Sequence, residues 1–163
     1  MSERTICNAS PLIFLTKINR LHLLDDLFTE VYVPNSAWHE ATHKPDDVSK
    51  TLNSMKSSGI FNVFTVKNTA AVSAMIGRLH KGEVEVIIGA GEIGISNVIL
   101  DDGYARSKAK QMGLAVTGTL GILIAAIKKG IISDVDNEIN NLLETGFRIS
   151  DVIIEQVRAM FKS

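Results

Sequence analysis

The chain has a single cysteine, Cys7, among 163 residues, so no internal disulfide can form and packing must hold the fold. It has no excess of one charge either. Seventeen Lys and Arg stand against 18 Asp and Glu, a formal net charge of -1, so no overall field draws polyanions. Nucleic-acid binding would then need a local basic patch, such as Arg106 with Lys108 and Lys110. Pro- or Gly-rich linkers and low-complexity tracts are missing, which excludes a largely disordered chain. So is any apolar run of membrane-spanning length, and Ser2-Glu3-Arg4 before a short apolar stretch is not a signal peptide. The expectation is therefore no membrane partner and a reducing cytoplasm. What is present is 45% apolar and 21% charged residues, the balance of a globular protein. That length suits one domain over 1–163, with C-terminal helices within 134–162 packed on it.

Short apolar runs predict strands at Thr5-Ile6-Cys7, Val31-Tyr32-Val33, Phe61 to Val66, Asn97 to Leu100 and Ala115-Val116. Helical patterns lie between and after them. Ser10-Pro11 reads as a helix start, with Ser10 as cap and Pro11 at the first position. Further helices are expected at Leu21 to Phe28, Ser36 to Thr42, Val48 to Ser57, Thr69 to Leu79, Glu83 to Ile93, Tyr104 to Met112, Leu120 to Lys129, Asp134 to Leu143 and Asp151 to Phe161. Ser133 and Asp136 have capping-box spacing for the ninth of these ten. Strands alternating with helices imply an α/β fold with a mainly parallel sheet covered on both faces. Gly89-Ala90-Gly91-Glu92-Ile93-Gly94 has the spacing of a dinucleotide motif, but Asp101 follows too soon for the helix that would hold a pyrophosphate. Those glycines read instead as small packing residues within a helix that ends at Gly94.

The strand Asn97-Val98-Ile99-Leu100 stops at Asp101-Asp102. Carboxylates at the carboxyl end of a core strand lie where open α/β sheets build ligand sites. Asn8 after the first strand, Glu40 after the second, Glu85 on the helix before the fourth, and Asp101 itself could meet at that edge. Phosphodiester cleavage with Mg²⁺ needs oxygen ligands converging from separate elements in this way. Each acid taken singly reads more readily as a solvated surface group, and only their joint arrangement points to a site. Ser10 either caps its helix or bonds a ligand. Arg106 either grips a phosphate or orients the carboxylates. Thr117 and Thr119 either meet a phosphate at the next helix start or cap that helix. His22, His39, His43 and His80 show no zinc-ligand spacing with Cys7, and Trp38 reads as a core anchor. The run Leu120 to Ile127 is either a central core helix or a homodimer interface.

Four segments together carry a resemblance. They are Ile6-Cys7-Asn8-Ala9-Ser10-Pro11-Leu12-Ile13, Gly82-Glu83-Val84-Glu85, Leu100-Asp101-Asp102 with Arg106, and Val116-Thr117-Gly118-Thr119-Leu120-Gly121-Ile122-Leu123. In this order, with Gly146-Phe147-Arg148-Ile149-Ser150 near the end, they resemble the PIN-domain-like proteins of the DUF3368 family, relatives of VapC-type toxin ribonucleases. The resemblance implies a three-layer α/β/α sandwich and cleavage of single-stranded RNA with Mg²⁺ or Mn²⁺. It also implies pairing of the toxin with a small antitoxin protein. Carried over by residue, it puts Asn8 where such nucleases usually have their first aspartate and Glu40 at the second acidic position. Glu85 takes the third, with Glu83 in reserve, and Asp101 or Asp102 the last. The asparagine supplies an oxygen but no charge, so the alternative is a binding module that holds nucleic acid or protein without cutting.

Overall fold

The computed structural model describes residues 3–162. In chain order its elements are β1 (Arg4–Cys7), α1 (Ala9–Lys17), α2 (Leu23–Leu27), β2 (Glu30–Pro34), α3 (Asn35–Thr42), α4 (Asp47–Ser57), β3 (Phe61–Phe64) and α5 (Thr69–Met75). They continue with α6 (Lys81–Ile93), β4 (Asn97–Ile99), α7 (Gly103–Gln111), β5 (Ala115–Thr117), α8 (Thr119–Lys128), α9 (Val135–Glu144) and α10 (Asp151–Met160). The strands form one sheet in the order β3-β2-β1-β4-β5, with every pairing parallel. Strand order reverses direction between β1 and β4, so the crevice at their carboxyl ends is the topological switch point of the sheet.

Period-two alternation splits the strands between two cores. Cys7, Val31, Val33 and Ile99 point into one cluster, with Leu12 and Leu15 of α1, Leu24 of α2, Trp38 of α3, Leu52 of α4 and Leu123 of α8. Ile6, Val98 and Leu100 point into the other, with Val72 of α5, Val84, Val86 and Ile87 of α6, and Ala105 and Ala109 of α7. This is the three-layer α/β/α arrangement. Trp38 is 7% exposed and lies 5.5 Å from Phe61 between ring centroids, a core anchor as expected. Gly89 lies inside α6, where a Cβ would come within 2.8 Å of the Phe64 ring. Gly89 and Ala90 are thus packing residues, whereas Gly91 is exposed with open space beside it, and Gly94 ends the helix at φ 68°.

Several boundaries differ from the sequence reading for local reasons. Helix α1 begins at Ala9, so Asn8 and not Ser10 holds the cap position, and Asn8 makes no side-chain cap bond. Helix α5 stops at Met75, four residues early. At α9 the cap is Asp134, which accepts from Asn137 N–H, in place of Ser133. The C-terminal helices are anchored by Leu142, buried in the first core, and by Phe147, edge-on to Phe14 at 5.0 Å. Glu138, 2% exposed, accepts from Arg20 through two guanidinium nitrogens. Removing Arg20 would strand that buried charge at a cost of about 3–5 kcal/mol. No helix among the described residues is long and apolar enough to cross a membrane.

Candidate active site

The switch point is built from the ends of β1 and β4. Asn8 N–H donates to Ile99 O at 3.1 Å, which sets the Asn8 side chain beside the start of α6. Asn8 is 7% exposed, and its Oδ1 is the one buried side-chain oxygen or nitrogen among the described residues that has no hydrogen-bond partner. A Cβ on Gly82 would stand 3.0 Å from that oxygen, so any larger residue at 82 would crowd it. An orphaned buried oxygen costs about 1–3 kcal/mol unless something in solution meets it.

Glu83 follows Gly82 and is 6% exposed. Its Oε1 accepts from His80 N–H at 2.9 Å, the reciprocal half of a capping box. Burial pushes the Glu83 carboxyl above its ordinary range, and the His80 N–H bond opposes this. The charges of Asp102 and Glu40 push it up further, which places both carboxylates in its electrostatic neighbourhood. Asp102 is exposed and caps α7 through Oδ2, which accepts from Ala105 N–H at 2.9 Å. Glu40 is exposed on α3. Glu85 lies two residues beyond Glu83 on α6. It accepts from the Ser36 hydroxyl and lines a separate hollow with His39, Thr69 and Lys81.

Asp101 sits on the other side of the switch point. Its Oδ1 accepts from Thr119 N–H at 2.7 Å, and its Oδ2 accepts from the hydroxyls of Thr119 and Ser10 at 2.7 and 2.9 Å. The carboxylate therefore caps α8 from 18 residues away and ties α1 to the same point. Thr119 donates inward from the first position of that helix, while Thr117 sits against Gly121, where a Cβ would lie 2.2 Å from its hydroxyl. Gly118 is equally constrained, since a Cβ there would meet Arg106 Nη1 at 2.7 Å and Asp101 Oδ1 at 2.9 Å. Arg106 donates to Leu100 O at 3.0 Å and makes no salt bridge among the described residues. Close packing at Gly118 and Gly121 is the signal that the sequence reading missed in the Thr-Gly-Thr-Leu-Gly segment.

Hard oxygen donors of this kind suit Mg²⁺ or Mn²⁺. Among the described residues no three His, Cys, Asp or Glu side chains converge closely enough to hold an ion by themselves. Mg²⁺, however, is commonly held by one or two carboxylates with waters and a substrate phosphate completing its shell. Asn8, Glu83 and Asp102 are oxygen donors of the right chemistry for such a shared arrangement, and they make no all-protein cage.

Comparison with known proteins agrees with this architecture at the level of family. No protein of curated function matches the chain. Among solved structures, PAE2754 of Pyrobaculum aerophilum is similar at 14% identity and a TM-score of 0.49, over 77% of this chain and 97% of that one. The family model DUF3368, described as a PIN domain, matches residues 4–163. With a match of that extent, the chain belongs to the DUF3368 family of PIN domains.

Proposed function

We propose that this protein is an endoribonuclease that acts on single-stranded RNA at the carboxyl edge of its sheet, with a divalent ion shared between protein and RNA phosphate. The observation that carries this reading is Asn8 Oδ1, buried without a partner at the switch point and packed against Gly82, next in the chain to Glu83. When bound, Mg²⁺ or Mn²⁺ would neutralise phosphate charge and make a bound water more acidic. Asn8, Glu83 and Asp102 are the residues that would hold the ion. Glu40 adds negative potential that attracts it, and Glu85 stands one hollow away. Asp101 acts as a positioning residue, fixing α8 and Ser10 around the site. Arg106 is placed to meet a phosphate of the strand. Thr119 is buried and donates its hydroxyl to Asp101, whereas Thr117 is half-buried and lines a groove beside Arg106.

Asn8 supplies no charge, and divalent affinity grows with ligand charge, so ion binding is weak without RNA and cutting is slow. The family resemblance supports a finer proposal, that the protein is the toxin of a toxin–antitoxin pair whose partner is a small antitoxin protein. One observation favours a second reading. With Asn8 neutral and both Asp101 oxygens occupied, the edge has little charge left to fix an ion, which suits a module that binds RNA without cutting it.

The deciding experiment is incubation of a mixed single-stranded RNA pool with purified protein in Mg²⁺, Mn²⁺ or EDTA, beside Glu83→Gln. Glutamine keeps the acceptor for His80 N–H and removes the charge. Metal-dependent cutting that falls at least tenfold in the variant supports the nuclease. RNA binding with no cutting supports the module, and neither binding nor cutting sinks both.

A further inference from the structure

A second feature adjoins the site on the Asp101 side. A groove of about 480 Å³ runs between the loop before α8, the α8 surface at Ile124, and α10. Its volume lies in the range of small-molecule sites, large enough for a nucleotide. Val157 is buried, whereas Ile153 and Met160 remain 39% and 53% exposed along the groove wall. An apolar wall left this exposed is unfavourable for a surface with no occupant.

The charges on the groove decide what fits it. Arg106 and Arg148 both line it, and neither makes a salt bridge among the described residues. The one carboxylate on the wall, Asp101, has both oxygens occupied by Ser10 and Thr119. Guanidinium groups pair with phosphates and stack on bases, and an apolar wall between two of them accepts a flat, weakly polar ring. Ser10, which bonds Asp101, also lines a neighbouring hollow of mixed charge, with Lys17 and Lys44 beside Glu40 and Asp46. The two hollows thus meet at the Ser10–Asp101 hydrogen bond.

We propose that the groove between α8 and α10 seats one base of the single-stranded RNA next to the acidic edge, with Arg106 and Arg148 on the flanking phosphates. The assignment rests on the RNA reading above. The site selects an unstacked strand, since a paired base could not leave its helix to enter.

The test is fluorescence anisotropy of 5′-labelled single-stranded RNA decamers, with Ca²⁺ in place of Mg²⁺, for the native chain, Arg148→Ala and Ile153→Glu. Both substituted side chains are exposed, so the variants fold. A charge at 153 is expected to weaken binding about tenfold, and loss of Arg148 to weaken it several-fold with a shallower salt dependence. A set of decamers with one abasic position each separates base from phosphate. The native protein should lose affinity at one position of the set, and Ile153→Glu should show no such position. If the native chain binds RNA but the abasic set is flat, or the substitutions change nothing, the base assignment is overturned while the RNA reading stands. If the native chain binds no RNA, both fail together.

Discussion

Asp101, at the end of β4, accepts both the main-chain N–H and the hydroxyl of Thr119, so one carboxylate joins the acidic edge to the first turn of α8. Gly118, the residue at the α8 cap, has no side chain to do this work. Asp101→Ala is expected to lower the unfolding free energy by about 2–3 kcal/mol, and Asp101→Asn by about 1 kcal/mol, since asparagine retains an acceptor for Thr119 N–H. Urea unfolding measures both. Thr119→Val, which loses only the hydroxyl bond, should lie between native and Asp101→Ala. Unchanged stability in Asp101→Ala would detach α8 from this contact. Lost RNA cleavage in an Asp101 variant is therefore no proof of a direct chemical role.

The two glycines of the same loop differ in how a side chain could be accommodated. At Gly118 an added Cβ meets the Leu100 carbonyl at 3.2 Å as well as Arg106 and Asp101, and the main chain cannot step aside. At Gly121 the clash is with the Thr117 side chain alone. Gly118→Ala should cost about 2–3 kcal/mol. Gly121→Ala should cost about 1–2 kcal/mol, and most of that loss should return in Gly121→Ala/Thr117→Ala. Thermal or urea unfolding of the three variants decides this. A double variant no more stable than Gly121→Ala would show that the hydroxyl is not the obstacle.

These contacts explain how far the sequence could be read. Strand and helix types came from local signals: alternation at Ile6-Cys7 and Val31-Tyr32-Val33, Pro11 and Pro34 near helix starts, Gly94 at a helix end. The parallel sheet followed from their order. The role of Ser10 did not, because its partner is 91 residues away in the chain and a Ser before Pro reads locally as a cap. The choice between Glu83 and Glu85 was also out of reach. Two residues along a helix turn the side chain by about 200°. Which one faces the edge depends on how α6 lies on the sheet, with Gly89 against Phe64 fixing its rotation.

Glu83 gives the edge a pH signature in the metal-free protein. Burial raises its carboxyl pKa in the folded state, so the folded chain binds more protons than the unfolded chain across the interval above the ordinary glutamate value. The sign follows: this contribution favours folding while Glu83 is protonated, and the benefit is lost as pH rises through the shifted value. In EDTA, the stability of the native chain relative to Glu83→Gln should be greater on the acid side and fall toward neutrality. Melting temperatures of the two proteins in EDTA from pH 4 to pH 8 test it. Parallel curves would show that Glu83 titrates as it does in the unfolded chain.

Asn8→Asp separates the two readings of function through stability as well as activity. A carboxylate at this position is buried by the same packing that leaves Asn8 7% exposed, and it lies across Gly82 from Glu83, whose own carboxyl already feels Asp102 and Glu40. In EDTA the variant should therefore be less stable than the native chain by about 1–3 kcal/mol, because an uncompensated charge has been buried among like charges. Mg²⁺ or Mn²⁺ should restore much of that loss, since an ion that binds only the folded state stabilises it by mass action. The native chain should respond to the same ions only weakly in the absence of RNA. If the variant regains stability with the ion and its RNA cleavage rises with it, the edge is a nuclease site limited by one missing charge. A variant that regains stability and still leaves RNA intact would place the chain among modules that bind and do not cut. A variant indifferent to Mg²⁺ and Mn²⁺ would remove Asn8 from any ion site and leave its orphaned oxygen to meet water or RNA.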